Sequence, residues 1–431
     1  METVIDVRSS GRPEIFDRAN TDGLFGRTRR LQQPLGQYLR ATETPRYLAY
    51  NDRSGVVGTQ GNNESLTPGG DYRAYLLATD IRVVFVVGSD DSDRTISLPY
   101  EDIVAVHYTS GLRTSTLEIV TVDEDHWAFE CKGDLTPVRA FVDEATQVWT
   151  RTLTELDRAE SRVEAATAAL EATDLDTAAT HITAAQEALD NGQERVEALG
   201  KEALASIDER CQSTQAQIDT CQRRRHVKAA EKHRDMARGA WESRAYERAA
   251  DAYAQANVEY ERALAVTAPV PSTEAITDAR NAIEAEYAEL LSAPVDAAQV
   301  AASAARATTD PAARATHWED AFDRYRTAYE LDWGRDRRFD GDRASLRQML
   351  ADIAVELVEA HREAGRQALR EGSDESKRES AGAACDGAAA HFRRAREVAT
   401  ELVPDKREPP ADELAAVSEQ EVSVESEAKG R

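Results

Sequence analysis

A multidomain chain, all-β first and all-α after, is the fold class this sequence predicts. Three observations carry that expectation. Between Tyr72 and Cys131, short apolar segments follow one another, several with the two-residue alternation of half-buried strands. From Thr136 to Trp149 the apolar residues change to helical spacing. Beyond residue 150 the strand signals stop, and Ala, Glu and Arg dominate up to an acidic end. With 431 residues the chain has room for two to four domains, each with a core of ordinary size.

Residues 1–40 carry seven Arg against five acids and include the basic island Gly26-Arg27-Thr28-Arg29-Arg30. Polar and punctuated by Gly, this stretch reads as a flexible arm that only partly packs. The β domain is expected over 41–150. Its first strand is Tyr47–Tyr50, followed by a loop rich in Gly, Asn and Pro from Asn51 to Asp71. Strands Tyr72–Thr79 and Arg82–Val87 follow, joined by the tight Thr79-Asp80-Ile81 turn. Arg94–Leu98, Ile103–Thr109, Ser115–Val122 and Asp125–Cys131 complete seven. Val83/Phe85/Val87, Leu117/Ile119 and Trp127/Phe129 each fall on one face. Thr136 is a good N-cap with Pro137 at the first helical position. Val138, Phe141, Val142, Ala145, Val148 and Trp149 then form an apolar stripe fit to plug an open barrel end.

This order resembles the pleckstrin-homology-like (PH-like) domains of bacteria and archaea, the YokE-like group in particular. The resemblance rests on Thr79-Asp80-x-Arg82 with its apolar strand and on Leu98-Pro99-Tyr100-x-Asp102-Ile103, and it covers about residues 45–150. It implies a seven-stranded barrel or sandwich capped by a C-terminal helix, a recognition platform rather than a catalyst.

Residues 151–403 read as helix throughout. One pattern recurs four times: an apolar residue, an acid, then Ala-x-x-x-[Ile/Tyr/Phe]-x-x-Ala, beginning at Leu175, Tyr246, Trp318 and Cys385. Small residues beside a large one let a neighbouring helix approach with the large side chain as a knob. The spacing is similar to the second helix of tetratricopeptide (TPR) repeats. The copies lie 71, 72 and 67 residues apart, about twice the 34-residue TPR period, and the first helices match poorly. TPR-like hairpins with degenerate units and an irregular Ala-rich bundle both remain open on this pattern. Between the first two copies a long polar helix is expected near 193–238. Leu204, Ile207, Cys211, Thr214, Ile218 and Cys221 occupy its a and d heptad positions, a coiled-coil-like stripe enough for a helical stalk or an antiparallel hairpin, and one through which two copies could also associate. Pro269, Pro271 and Pro294 are expected to break the helices that follow. The tail 404–431 is rich in Ser and Glu, poor in aromatics, and reads as disordered.

Net charge is −26, and only seven of the 53 basic residues are Lys. Abundant carboxylates with scarce lysine stems resemble proteins that work in multimolar salt, such as those of halophilic archaea. At about 1 M salt the Debye length is about 3 Å, so recognition must rely on short-range contacts. The acidity thus reads as a solubility device. Cys131, Cys211, Cys221 and Cys385 form no CxxC pair and have no His at ligand spacing, which points to neither zinc nor a disulfide framework. No window approaches about 18 uninterrupted apolar residues, and no signal-peptide core is present, so a cytoplasmic location is expected.

The chain has no P-loop, dinucleotide fingerprint, Gly-x-Ser-x-Gly or HExxH, and its eight His are scattered. No catalytic residue, cofactor or metal is therefore expected. Loops 52–71, 88–93 and 123–125 would hold the head group in phosphoinositide-binding PH domains. Here they carry nine acids and one base, Arg53, which disfavours an anionic lipid. Arg223, Arg224, Arg225, Lys228 and Lys232 form a basic cluster able to meet an anion, or to balance acidic helices of the same chain. Without aromatic interleaving it makes nucleic acid an improbable partner. Tyr246, Tyr253, Trp318 and Tyr325 are the candidate partner-binding residues of the helices, through whatever sides packing leaves exposed. The resulting expectation is a non-enzymatic binding or scaffold protein with protein partners. Lipid binding through the barrel is the alternative, and nucleic-acid binding through 223–238 a second.

Overall fold

The computed structural model describes residues 3–23, 26–59, 64–331, 339–372, 381–406 and 408–417, the side chains of 20–29, 372, 381 and 382 excepted. Two compact units emerge: Met1–Arg225 with Val266–Val270, and His226–Ala265 with Pro271–Arg431.

The first unit opens with β1 (Val4–Asp6), the single-turn helix α1 (Val7–Ser10), and the β2 (Asn20–Gly23) and β3 (Gly26–Arg29) hairpin. There follow β4 (Pro45–Asn51), β5 (Val56–Gly58), β6 (Ser65–Leu66), β7 (Ala74–Thr79), β8 (Arg82–Val87) and β9 (Arg94–Pro99). β10 (Ile103–Ser110), β11 (Ser115–Thr121) and β12 (His126–Cys131) complete the strands. Two five-stranded antiparallel sheets form, ordered β1-β4-β7-β8-β9 and β10-β11-β12-β5-β6. All seven expected strands are present within a residue or two. The stretch read as loop from Asn51 to Asp71 contains β5 and β6, which extend the second sheet beyond β12.

Val83, Phe85 and Val87 point into the core with Leu117, Ile119, Trp127 and Phe129. Phe85 and Phe129 stack across the two sheets at 5.9 Å. The intervening Val84 and Val86 are equally buried, because the N-terminal segment covers the outer face of the first sheet. There Val7, Ile15, Phe16, Leu31 and Leu35 pack with Leu48, Tyr75, Leu77, Val84 and Val86. The expected flexible arm at 1–40 is thus corrected. Its sparse apolar residues find a two-sided strand that needs a cover, and β1 pairs with β4.

Helix α2 (Thr136–Glu171) closes the barrel with Val138, Val142, Ala145 and Trp149. Phe141 sits at the rim, half-buried, against Tyr47 and Tyr100. Thr136 does not cap through its own side chain. Asp134 accepts hydrogen bonds from the Thr136 N–H (3.0 Å) and hydroxyl (2.6 Å) instead. The boundary expected at 150 falls inside α2, whose second half packs on α3 (Leu175–Glu197) and the first part of α4 (Lys201–Glu242). Gly192 lets α3 approach the Thr152 carbonyl and the Leu156 side chain of α2. The heptad stripe Ile207, Cys211, Thr214, Ile218 and Cys221 is buried in this three-helix layer. Arg210 grips Asp157 and Glu160, and Gln186 and Gln215 exchange amide hydrogen bonds at 3.0 Å. This stripe is thus used within the chain, against α2 and α3.

The second unit contains the rest of α4 and α5 (Tyr246–Ala265), α6 (Thr273–Ala307), α7 (Pro311–Glu330), α8 (Arg343–Gly372) and α9 (Ala381–Leu402). Successive helices from α5 to α9 pack on one another. The recurring pattern is their contact face: Ala249, Tyr253 and Ala256, then Trp318, Ala321, Tyr325 and Ala328, then Ala388, Phe392 and Ala395, are all buried. Pro294 does not break a helix. It lies buried inside α6, where packing beside Leu290 and Ala298 offsets its missing N–H. Residues 408–417 form a further helical segment, which corrects the disorder expected from 404 onward. The remaining tail, 418–431, lies outside the described residues.

Candidate interaction surfaces

The β7–β8 turn and the residues around it explain the motif Thr79-Asp80-x-Arg82. The Thr79 hydroxyl accepts from the N–H groups of Ile81 (3.3 Å) and Arg82 (3.1 Å) and donates to the Arg82 carbonyl (2.9 Å), closing the turn. Arg82 forks onto Glu43 (2.9 and 2.8 Å) and also donates to Ser97 and the Tyr38 carbonyl. The Glu43 side chain is fully buried. Burial would raise its pKa, but Arg82 and the Arg40 N–H outweigh that and hold the carboxyl below its ordinary value. Tyr100, from the second stretch behind the resemblance, donates to the Thr79 carbonyl at 2.7 Å. Both motifs therefore help to build the barrel.

Asp80 is the unusual member. It is 2% exposed, accepts from the Thr44 N–H at 3.0 Å, and leaves its second oxygen without a hydrogen-bond partner. Gly200, at φ 153°, approaches so closely that a Cβ there would sit 2.6 Å from that oxygen. Burial pushes the Asp80 pKa up from 3.8 to about 6; the Thr44 N–H opposes this, and the Glu43 and Glu202 carboxylates add to it. A folded pKa above the unfolded one means that stability is lost as pH rises from 3.8 through 6. Asp80→Asn is expected to stabilise the first unit by about 2–3 kcal/mol at pH 7 and to flatten that slope. Urea midpoints at pH 4.5 and 7.5 check it; an equal change at both values, of either sign, would show that the charge is not the cause.

In the loops 52–71, 88–93 and 123–125 the acids are partly committed. Asp93 accepts from the backbone N–H groups of Gln32 and Gln33 and from Tyr38 at 2.5 Å. Asp52 pairs with Arg73 at 2.8 Å, and Glu64 with Arg94. Arg73 immediately precedes β7 and Arg94 opens β9, so the loops themselves stay acidic.

The expected partner-binding aromatics are not available at a surface. Tyr246, Tyr253, Trp318 and Tyr325 are all buried, because a knob flanked by Ala is drawn into the helix contact. The expected anion-binding cluster is divided, with two of its five members engaged by carbonyls of the same chain. Arg223 is 2% exposed and donates to the Ala268 carbonyl, and Arg225 reaches the Leu175 carbonyl at 3.4 Å. Arg224 and Lys228 are half-buried, and only Lys232 of the five is exposed. Further along α4, Arg234 and Arg238 converge on Glu286, which also accepts from Tyr253 at 3.1 Å. His226 lies 2.7 Å from Glu259. His361 bridges Glu319 (3.0 Å) and His391 (2.9 Å), with Arg394 forked onto Glu319, so that α7, α8 and α9 are pinned together.

Among the described residues no group of three or more His, Cys, Asp or Glu is arranged to hold a metal, and all four cysteines are buried thiols. A cavity of about 220 Å³ lies beside the turn, lined by Arg40, Arg82, Tyr100, Trp149 and Ser206. A shallow groove of about 430 Å³ runs between α2 and α4 over Val163, Thr167 and Cys221.

Of the four end strands, β1 and β6 are three and two residues long. β10 is eight residues long and, among the described residues, pairs with β11 alone. Its register shifts between Ile103 and Ala105, and Val104 there is 63% exposed. Leu112, just past its far end, is fully exposed, and Val122, next to the paired Thr121, is 56% exposed. A bulge that re-aims an apolar side chain outward is a feature the sequence pattern did not reveal.

No protein-family model matches the chain, and no curated protein matches it. Among solved structures, the Vps36 N-terminal PH domain aligns with 27% of this chain and 89% of its own length, at 19% identity and a TM-score of 0.21.

Proposed function

We propose that this chain is a non-enzymatic binding and scaffold protein that docks protein partners through its barrel, with the helical region as a second platform. The observation that carries this reading is β10: an unpaired strand edge bracketed by exposed Val104 and Leu112. Alternate N–H and C=O groups of an end strand point away from its sheet, and an extended peptide can satisfy them while apolar side chains anchor it. The finer placement belongs to the same proposal: a YokE-like PH domain, TPR-like hairpins, and the cytoplasm of a halophilic archaeon. The −26 net charge and the scarcity of Lys support the salt-adapted part. Among the described residues no helix is long and apolar enough to cross a membrane.

The test is affinity capture from a native high-salt lysate with the full chain as bait. Val104→Lys, at an exposed position, should leave stability within about 0.5 kcal/mol. It is expected to reduce partner recovery at least tenfold. Undiminished recovery would remove β10 from the interface. Salt-resistant cosedimentation with archaeal-lipid vesicles would favour a membrane role for the barrel instead.

A further inference from the structure

The last helical segment, 408–417, lies against α8 and α9 in the second unit. Val417 is buried with Cys385, Ala388, Ala389 and Phe392 of α9, and Leu414 packs partly buried beside them with Ala368 and Leu369 of α8. Glu413 receives Arg362 through a fork (2.9 and 3.1 Å) and Arg366 through its Nε (2.9 Å). The groove itself is built without the segment. Phe392 lies on Gly365 so closely that a Cβ there would come within 2.7 Å of its ring, which draws α8 and α9 together. Arg362 is meanwhile held by Glu359 at 2.8 and 3.0 Å.

Ten residues are too few for a stable isolated helix in water, so the segment is helical because the groove holds it. Leu414, Val417, the buried Pro410 and one carboxylate hold the ten described residues, a small set of contacts to set against the cost of ordering them, which suits exchange. We propose that the α8–α9 groove is a docking site for an acidic amphipathic helix of a partner protein, occupied at rest by 408–417. The recognised chemistry is a carboxylate for Arg362 and Arg366, with aliphatic side chains one and four residues further on for the Phe392 pocket. A tethered segment competes at an effective concentration in the millimolar range and so masks the groove from weak ligands. The inference deepens the scaffold reading by naming a partner class for the helical region, and it does not depend on β10.

The probe is a fluorescent synthetic peptide of residues 404–421, and binding is read by anisotropy on the full chain. Leu414→Asp/Val417→Asp, and separately Glu413→Arg, should release the segment and strengthen peptide binding at least tenfold over the wild type. Arg362→Glu added to the first variant should abolish that binding. Helix content and melting temperature are measured alongside. Folded variants that bind no peptide would overturn the proposal, as would cooperative unfolding of both variants, which would make 408–417 integral to the fold. A concentration-dependent wild-type dimer, broken by Glu413→Arg, would also overturn it, by assigning the groove to a second copy. Loss of partner capture by Val104→Lys with peptide binding intact, or the reverse, separates failure of one reading from failure of the other.

Discussion

Arg82→Ala is expected to destabilise the first unit by about 3–5 kcal/mol, the loss seen when one partner of a buried ion pair is removed. The reason lies in what Arg82 leaves behind. Glu43, with no exposed side-chain surface, would keep only the Arg40 N–H as a hydrogen-bond donor from the backbone (2.8 Å) and would have to take up a proton or admit water. Asp80 sits nearby with its own raised pKa, so the turn would hold two carboxylates and no compensating cation. Arg82→Lys should recover part of the loss, since an ammonium cannot reproduce the fork onto Glu43. The double change Glu43→Leu/Arg82→Leu should cost far less than Arg82→Ala alone, because neither charge then remains in the interior. Urea unfolding followed by far-UV circular dichroism distinguishes these cases. If the double variant falls as far as the single one, the pair is needed for its shape rather than for neutralising a buried charge.

The same turn shows how far the sequence could be read. Thr79-Asp80-x-Arg82 was recognisable as a motif because its spacing ties a two-residue turn to the strand after it. Its partner Glu43 lies 39 residues away from Arg82, and nothing local marks that Glu as buried. The strand 82–87 was legible for a similar reason, since alternation names one inward face. The unbroken apolar run also meant that Val84 and Val86 needed a cover, but Ile15, Phe16, Leu31 and Leu35 are spread through polar residues with no period to announce them. The heptad stripe of α4 was visible as an apolar line, yet a line does not say whether its partner is another chain or α2 and α3. Likewise Tyr253 and Trp318 stood out by their Ala neighbours. That setting is what draws a ring into a helix contact and away from solvent. Val104 escaped notice because a bulge shifts the face a residue occupies, and a periodic reading assumes that no such shift occurs.

Trp149→Ala is expected to cost the first unit about 3–5 kcal/mol, the range for deleting a large buried aromatic. Trp149 is 5% exposed at the centre of the stopper formed by α2, and its Nε1–H lies 3.4 Å from the Asp80 carbonyl. It also lines the cavity of about 220 Å³ beside the turn. Truncation would therefore enlarge an existing space rather than open a sealed one, and water entering there would offset part of the cavity cost but none of the lost packing. Because α2 continues past the barrel into the layer with α3 and α4, loosening Trp149 should lower the unfolding midpoint of the whole unit in one transition. Trp149→Phe keeps most of the apolar contact and loses only the weak hydrogen bond, so it should cost about 1–2 kcal/mol. Differential scanning calorimetry of the full chain gives the readout. A first-unit transition unchanged by Trp149→Ala would mean that the sheets hold together without their closing helix, and the barrel's lower end would then be an open mouth rather than a filled one.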